Sequence, residues 1–267
     1  MSRRTIAVPE TRELDVFAGL LERRGASVLR CPLIAIKDAP QPQVVLAWVR
    51  RFVAGECDDL VLLTGEGLRR LIACIVRNEG ELKEGFLAQL ARVRKITRGP
   101  KPARALRELG LKPDLAAAVP TTEGVIAALA AAGRLEGRRV GVQLYGTEPN
   151  LPLVRFLESA GATVLSVAPY IYADAADDAA VRDLIKQMAG GGIDAIAFTS
   201  TPQVERLFSV GEPSEVQAAL SRTLVAAVGP VVAATLKARG VAVALMPEDA
   251  FFLKPLTSAL EAALAPR

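Results

Sequence analysis

Short runs rich in β-branched residues alternate with helical patterns along the whole chain, and this alternation constrains the fold more than any other feature. The predicted strands cover residues 5–8, 27–30, 60–63, 94–97, 115–119, 139–144, 163–167, 195–198, 223–228 and 241–245. Between them, apolar residues recur at spacings of three and four. This order predicts α/β architecture, in which parallel sheets are covered by helices on both faces. Segments such as DDLVLLT and DAIAFT are typical of strands buried on both faces.

A weak internal repeat divides the chain. DDLVLLTGEGLRRL (58–71) resembles DAIAFTSTPQVERL (194–207), and ITRGPKPARALRELG (96–110) aligns with AAVGPVVAATLKARG (226–240). Both glycines of the second pair match at an offset of 130, and a proline after an apolar run follows each copy. Any two α/β units share some Gly and Ala spacing. Three matched segments in the same order nevertheless favour a duplicated lobe.

Two similar stretches precede the copies and predict how the lobes connect. RCPLIAIKDAPQP and SVAPYIYADAADD are both bounded by proline and acid and indicate extended crossings. We predict an inserted α/β lobe over 38–168 and a discontinuous α/β lobe formed by 1–33 and 173–267. Residues 34–37 and 169–172 would be a two-stranded linker, with a ligand cleft between the lobes.

The charge distribution agrees with this division. Residues 38–169 hold 18 basic and 14 acidic residues, whereas the remainder holds 15 of each. The net charge of +4 therefore resides in the inserted lobe. A basic lobe favours an anionic partner.

The absence of histidine narrows the possible chemistry. It excludes Ser-His and Cys-His nucleophiles and removes the usual nitrogen ligand of zinc. The three cysteines, spaced by 26 and 17 residues, form no CxxC pair. Free buried thiols are therefore favoured over a metal site or disulfides. An enzyme with this composition would use Tyr, Ser or Thr, carboxylates, Lys or Arg, or backbone amides.

No apolar run approaches the ~20 residues that span a bilayer, and the N-terminal MSRRTIAVPETRE lacks the apolar region of a signal peptide. We therefore expect a cytoplasmic protein that does not bind a membrane. We also expect a monomer that binds no nucleic acid. No GxGxxG or Walker A sequence is present, so a nucleotide site is not indicated.

Two Gly-Pro turns are candidate anion sites, because amides at a helix start point outward. At Gly99, the flanking Arg98 and Lys101 strengthen the case, and seven Lys or Arg residues and no acid lie between 92 and 107. A solvated basic helix face is the equally weighted alternative. At Gly229, apolar residues follow the proline, and a plain strand-to-helix turn is the stronger alternative.

Hydroxyl groups supply the other candidates. Thr64 and Gly65, and Thr199 and Ser200, end predicted strands and open helices. They either cap these helices or line the carboxyl edge of a sheet, where open α/β folds bind ligands. Tyr170 and Tyr172 lie in the second crossing, where a neutral phenol either donates a proton to a leaving oxygen or simply packs.

In this order, these residues resemble the uroporphyrinogen-III synthase family over nearly the whole chain. The resemblance rests on a strand followed by Thr and then a helix, a GxxxAxxLxxxG element in each half, VPTTEG, and the tyrosine after GATVLSVAP. It implies two α/β lobes joined by a two-stranded ladder. It also implies a cofactor-free lyase that cyclises the linear tetrapyrrole hydroxymethylbilane, with inversion of the last ring and loss of water.

The resemblance also implies residue roles. The family tyrosine falls on Tyr170, and the Ser/Thr contacts fall on Thr64, Gly65, Thr199 and Ser200. A polycarboxylate substrate accounts for a basic lobe and outward-facing amides. The enzyme would mainly hold a flexible chain so that the correct ring carbon attacks.

The chain departs from the family pattern at several hydroxyl positions. Pro102 and Val232 replace the usual Thr of the GxxTA element, Gly65 replaces Ser, and VPETRE stands where the family commonly has Thr-Arg-Pro. These changes keep open a catalytically idle relative that binds a tetrapyrrole or another polyanion in a regulatory role. A generic two-lobed small-molecule binding protein is the third interpretation, without the export signal typical of such proteins.

Overall fold

A computed structural model of the chain describes residues 1, 4–146, 148–248 and 250–265. Its strands are β1 (Thr5–Val8), β2 (Ser27–Arg30), β3 (Ile34–Asp38), β4 (Asp59–Leu62), β5 (Arg94–Thr97), β6 (Leu115–Ala116), β7 (Arg139–Gln143), β8 (Thr163–Val167), β9 (Tyr170–Asp174), β10 (Ala195–Phe198) and β11 (Leu224–Ala227). Its helices are α1 (Leu14–Glu22), α2 (Pro42–Val53), α3 (Gly65–Asn78), α4 (Leu82–Arg92), α5 (Pro100–Arg107), α6 (Thr122–Ala131), α7 (Leu151–Ser159), α8 (Asp178–Ala189), α9 (Thr201–Val210), α10 (Pro213–Ser221), α11 (Pro230–Ala238) and α12 (Leu253–Ala263).

The chain forms two compact units, one from residues 1–35 and 173–267 and one from residues 36–172. We call them the terminal unit and the central unit. The terminal unit has a parallel sheet of order β11-β10-β1-β2, and the central unit has a parallel sheet of order β6-β5-β4-β7-β8. Strands β3 and β9 pair where the chain passes between the units. This is the α/β class that the alternating pattern predicts, with the two lobes that the internal repeat predicts.

The central sheet is covered on both faces because β4 is apolar after its first residue. Leu60 and Leu62 pack with Phe52 and Phe86 of α2 and α4 on one face. Val61, on the opposite face, packs with residues of α6 and α7. In the terminal unit every residue of β10 is buried. The predicted two-sided burial of both strands is confirmed.

Two predicted strands are wrong in part. Residues 241–245 form no strand, since only Leu245 pairs, through an isolated bridge to Ala226. The strand predicted over 115–119 is limited to Leu115–Ala116. Both segments contain alanine, whose small side chain contributes little to strand formation. Each segment therefore joins the sheet over two residues or fewer, and its remaining residues form no strand.

A buried ion cluster stands at the amino end of β4. The Asp59 side chain is fully buried, and its carboxylate accepts hydrogen bonds from Arg94 Nε at 2.6 Å and from Arg138 Nε at 2.5 Å. Burial tends to raise the pKa of Asp59, but the bonds from Arg138 and Arg94 outweigh it, so its pKa lies below the ordinary value. This cluster joins three neighbouring segments at the sheet end remote from the predicted ligand positions.

Among the described residues, no helix is both long enough and apolar enough to cross a membrane. No group of three or more Cys, Asp or Glu side chains in that part of the chain could hold a metal ion. Cys31, Cys57 and Cys74 are free thiols, the last two buried.

Candidate functional site

The carboxyl edge of the central sheet gathers most of the predicted site residues. Thr64 and Gly65 follow β4, and Arg98 and Gly99 follow β5. Thr64 is the N-cap of α3, because its hydroxyl accepts a hydrogen bond from the Gly67 amide at 3.0 Å. In open parallel sheets this edge is where ligands bind.

A cluster of phenols lies at the same edge. The Tyr170 hydroxyl is 3.3 Å from Thr64 Oγ1 and 3.4 Å from the Tyr172 hydroxyl, both long for such bonds. The rings of Tyr170 and Tyr172 meet edge to face, with centroids 5.4 Å apart. Tyr170 is only 1% exposed, whereas Tyr172 is partly exposed. The outer phenol of the pair is therefore Tyr172.

Arg98 connects the remaining tyrosine to this cluster. Its guanidinium lies over the Tyr145 ring, 4.8 Å from the centroid, at the range of a cation–π contact. No carboxylate in the described ranges forms an ion pair with Arg98. Burial lowers the pKa of Arg98, and the phenols of Tyr145, Tyr170 and Tyr172 act in the opposite direction. A partly desolvated cation without an acidic partner is a favourable place for an anion.

All three tyrosines of the chain thus belong to one cluster, which we call the tyrosine cluster: Tyr145, Tyr170 and Tyr172 with Arg98 and Thr64. Burial raises the pKa of Tyr145, Arg98 opposes this shift, and Glu148 adds to it. Sequence reasoning missed Tyr145. The available signal was its position directly after a predicted strand in a chain with so few tyrosines.

A buried glutamine holds Thr64 in place. Gln143, at the end of β7, accepts from the Thr64 amide through Oε1 at 3.2 Å and donates to Thr64 Oγ1 through Nε2 at 3.3 Å. Gly67 leaves room for this amide, since a Cβ at position 67 would lie 1.9 Å from Gln143 Nε2. Gln143 carried no signal in the sequence because its partner is 79 residues away.

The Gly99 turn is closely packed. A Cβ at Gly99 would lie 2.7 Å from Pro120 Cβ, so the turn after β5 rests against the VPTTEG segment. Pro100 is the first residue of α5, and Lys101 lies half-buried in its first turn. Thr121 of VPTTEG caps α6 by accepting from the Gly124 amide at 3.0 Å. The hydroxyl of Thr121 is therefore already used in capping.

In the terminal unit, the Thr199 hydroxyl, which is the equivalent of the Thr64 hydroxyl, has an internal partner. The Thr199 hydroxyl donates to Glu10, whose carboxylate also accepts from the amides of Thr11 and Arg12. Gln203 Oε1 accepts from the amides of Thr199 and Ser200 at 2.8 and 3.2 Å. Sequence reasoning singled out Thr199 and Ser200 but missed Glu10, a buried acid at this sheet edge.

Gly229, the other predicted anion turn, caps α11 ahead of Pro230. A Cβ there would lie 3.2 Å from the Phe251 ring, and Val232 in the next turn is buried. Its surroundings are thus apolar, in contrast to those of Gly99.

Comparison with known proteins agrees with this architecture. Residues 15–252 match the family described as uroporphyrinogen-III synthase HemD. The chain belongs to the uroporphyrinogen-III synthase family. A solved mutant uroporphyrinogen III synthase from Thermus thermophilus is 30% identical, with a TM-score of 0.75 over 98% of each chain. The uncharacterized protein YjjA of Bacillus subtilis (strain 168) is 30% identical over 91% of this chain and 90% of that protein.

A solved uroporphyrinogen-III synthetase from Helicobacter pylori 26695 has the same fold at 14% identity, with a TM-score of 0.57 over 98% of this chain and 100% of that chain. The family fold therefore persists with few identical residues. The departures of this chain from the uroporphyrinogen-III synthase pattern therefore leave the fold unchanged and affect only the surroundings of each replaced residue. At two of them, Pro102 and Val232, the replacing side chains are buried.

The departure at Gly65 follows from the packing of α3 against α5. A Cβ at position 65 would lie 2.6 Å from the Lys101 carbonyl oxygen, closer than real contacts allow. A family serine therefore cannot be accommodated here without moving the start of α5. The close approach of the α3 and α5 backbones therefore explains why no side-chain hydroxyl is present at position 65.

We expect Gly65→Ser to lower the free energy of unfolding by about 1–3 kcal/mol, the usual cost of overpacking. Urea denaturation would measure the change. Gly80→Ser is the matched control, because the nearest atom to its Cβ would be a carbonyl oxygen at 3.6 Å, an ordinary contact. Equal stability of Gly65→Ser and the control would show that the close approach is easily relieved.

Proposed function

We propose that the chain is a uroporphyrinogen-III synthase, a lyase that cyclises hydroxymethylbilane to uroporphyrinogen III with inversion of the last ring and loss of water. The observation that carries this proposal is the tyrosine cluster at the carboxyl edge of the central sheet. There, Arg98 has no acidic partner among the described residues and stands beside three phenols. Membership of the family supplies the reaction.

The chemistry suits these groups. Arg98 and the backbone N–H groups of Gly99 and Lys101 would bind side-chain carboxylates of the tetrapyrrole, since Pro100 and Pro102 of the same turn have no N–H. As the hydroxymethyl C–O bond breaks, a phenol of the cluster would give its proton to the departing oxygen, which leaves as water. The pyrrole nitrogen lone pair stabilises the resulting carbocation. The substituted α-carbon of the last ring then attacks this carbocation, and its bond to the existing methylene bridge breaks. The other α-carbon of the ring bonds to the freed methylene carbon, which inverts the ring. That α-carbon loses its proton on rearomatising, and the phenolate takes the proton up.

Tyr170 is the proposed acid of the family reaction, with Thr64, Gly65, Arg98, Gly99, Lys101, Thr199, Ser200 and Gly229 as proposed substrate contacts. Of these, the groups after β4 and β5 have the electrostatic character expected for a carboxylate site. No cofactor is required, because the leaving group is activated by the substrate itself. The protein's main contribution would be positioning.

An assay coupled to enzymatic synthesis of hydroxymethylbilane tests this function. The substrate closes spontaneously to the type I isomer, so an active enzyme is recognised by type III product. A second candidate, a catalytically idle relative that binds a tetrapyrrole for regulation, is favoured by the lost hydroxyls at Gly65, Pro102 and Val232. It would bind uroporphyrinogen yet leave the product as type I.

We expect Arg98→Gln to raise KM by about tenfold, because a charge-assisted contact is worth roughly 1.5–3 kcal/mol. The wild-type KM should also rise with salt, since ionic strength screens the attraction. Arg107→Gln is the matched control: it removes the same charge from the exposed part of α5. An Arg98→Gln variant with the KM of the control would remove Arg98 from the site.

A further inference from the structure

In each unit, the side-chain amide of a glutamine forms two hydrogen bonds with the threonine at the end of a strand, one with its backbone N–H and one with its hydroxyl. Gln143 and Gln203 come from different elements, a strand and a helix, yet each accepts from the threonine amide and donates to the threonine hydroxyl. The backbone N–H of Thr64 can meet only an acceptor, so it assigns Oε1 of Gln143 to that side. Nε2 is thereby directed at Thr64 Oγ1, and it also donates to the Leu144 carbonyl.

These two hydrogen bonds with Gln143 determine the direction in which the Thr64 hydroxyl proton points. A hydroxyl oxygen accepts at most two hydrogen bonds and donates one. Thr64 Oγ1 accepts from Gly67 N–H and from Gln143 Nε2. Its acceptor capacity is therefore used, and its own proton is left for Tyr170, 3.3 Å away.

The direction then continues through the phenols. Because Tyr170 accepts from Thr64, its single proton goes to the Tyr172 hydroxyl, the other acceptor that the described residues place beside it. The chain of hydroxyls thus runs from Thr64 through buried Tyr170 to partly exposed Tyr172. The absence of a side chain at Gly146 leaves room for the Tyr172 ring, since a Cβ at position 146 would lie 2.7 Å from that ring.

In the terminal unit, Gln203 forms the same pair of hydrogen bonds with Thr199, but the threonine hydroxyl proton goes to a different kind of acceptor. Gln203 Nε2 donates to Thr199 Oγ1 at 2.9 Å, and the Thr199 proton goes to the Glu10 carboxylate. That carboxylate is buried and accepts further bonds from two backbone amides. In the terminal unit the threonine proton therefore ends on an internal acid, whereas in the central unit it supports a phenol pair.

We propose that Gln143 is a positioning residue that orients the hydroxyl chain from Thr64 to Tyr170 to Tyr172, and that Tyr170 acts as the acid through Tyr172, the phenol that touches the substrate. The catalytic half of this proposal rests on the proposed synthase function. The hydroxyl chain itself does not. Negative charge that develops on the phenol pair when the substrate takes a proton is stabilised by the Thr64 proton, which Gln143 and Gly67 hold in place.

Tyrosinate absorbance tests the chain without any substrate, because every tyrosine of the protein belongs to the cluster. Burial raises the pKa of Tyr145, with Glu148 adding to the shift and Arg98 opposing it. The spectrum reports the ionisation of these three phenols and of no other tyrosine. Arg98 lies beside all three phenols and is kept in every variant.

We expect Thr64→Val, which removes the hydroxyl and keeps the shape, to move the onset of the tyrosinate titration to higher pH by about one unit, the equivalent of one lost hydrogen bond to a charged group. Thr64→Ser should restore the wild-type titration. Gln143→Met should shift it in the same direction by less, since the hydroxyl remains but is no longer aimed. Gln143→Glu should shift it most, because a carboxylate would take the Thr64 proton and add negative charge.

Turnover supplies the second readout. Tyr172→Phe and Gln143→Met should each lower kcat about tenfold with little change in KM, as expected for groups that act on the proton rather than on binding. Superimposable titrations of wild type, Thr64→Val and Gln143→Met would overturn the hydroxyl chain. If Gln143→Met does not fold, the Thr64→Val and Thr64→Ser pair decides.

The two proposals fail separately. Shifted titrations in a protein that yields only type I product would uphold the hydroxyl chain and remove the synthase function. Type III product with unshifted titrations would do the reverse. Unchanged kcat in Tyr172→Phe, with type III still formed, would overturn the assignment of Tyr172 to the substrate.

Discussion

Replacement of Asp59 by alanine is expected to lower the free energy of unfolding by about 3 kcal/mol, because breaking a buried ion pair by removing one partner costs more than the pair is worth in itself. The Asp59 carboxylate is fully buried and serves both Arg94 and Arg138. Its removal leaves two partly buried guanidiniums without their acceptor. Chemical denaturation at neutral pH would measure the loss.

Asp58→Ala is the matched control for this prediction. Its carboxylate pairs with Arg139 on the exposed side of the same strand end, where solvent and salt screen the interaction. We expect a much smaller loss of stability. Similar losses in the two variants would contradict the special role of the buried cluster.

The cluster also predicts how stability depends on pH. The pKa of Asp59 lies below its ordinary value, since the bonds from Arg138 and Arg94 outweigh the opposing effect of burial. Its contribution is therefore complete above the pKa of an unfolded aspartate and is lost as pH falls through the folded value. The stability difference between wild type and Asp59→Asn should shrink on acidification. A difference that grows toward acid pH would have the wrong sign.

Tyr170→Phe is expected to slow formation of the type III product by about 10- to 100-fold, at or below the low end of general-acid effects. The loss is modest because the pyrrole nitrogen already activates the leaving hydroxyl. Removing the Tyr170 hydroxyl also separates Thr64 from Tyr172. A coupled assay that resolves the isomers would measure the rate.

Tyr145→Phe is the matched control, since it removes a phenol from the same cluster without interrupting the chain of hydroxyls. Its loss should be smaller, because Arg98 retains its position over the ring. The Tyr170→Phe, Tyr172→Phe double variant extends the test. Undiminished type III output from it would leave positioning alone as the source of catalysis.

The fold class could be predicted from the sequence because local pattern and burial agree in this chain. The patterns of β4 and β10 indicate strands buried on both faces, and they lie inside their sheets. The predicted 5–8, 27–30 and 163–167 coincide with β1, β2 and β8. The strand predicted over residues 241–245 was wrong because an apolar segment beside a sheet has the same composition as a strand within it.

The candidate site was less accessible to sequence reasoning. Strand-end positions such as Thr64 and Arg98 follow from the alternation of strands and helices, and the tyrosine of the second crossing follows from its rarity. Gln143 and Glu10 could not be found this way. Their roles depend on contacts with residues 79 and 189 positions away, and on which atom of an amide faces a backbone N–H. Such information is set by packing and has no local signature.

The isomer composition of the product is the most direct test of the central claim that the tyrosine cluster belongs to a working uroporphyrinogen-III synthase. Hydroxymethylbilane would be generated continuously in the presence of wild type, Arg98→Gln and the Tyr170→Phe, Tyr172→Phe double variant, and the porphyrins oxidised and separated. We expect mainly type III from wild type, with the type I fraction rising in both variants. A wild-type product with the isomer composition of the protein-free reaction would contradict the claim.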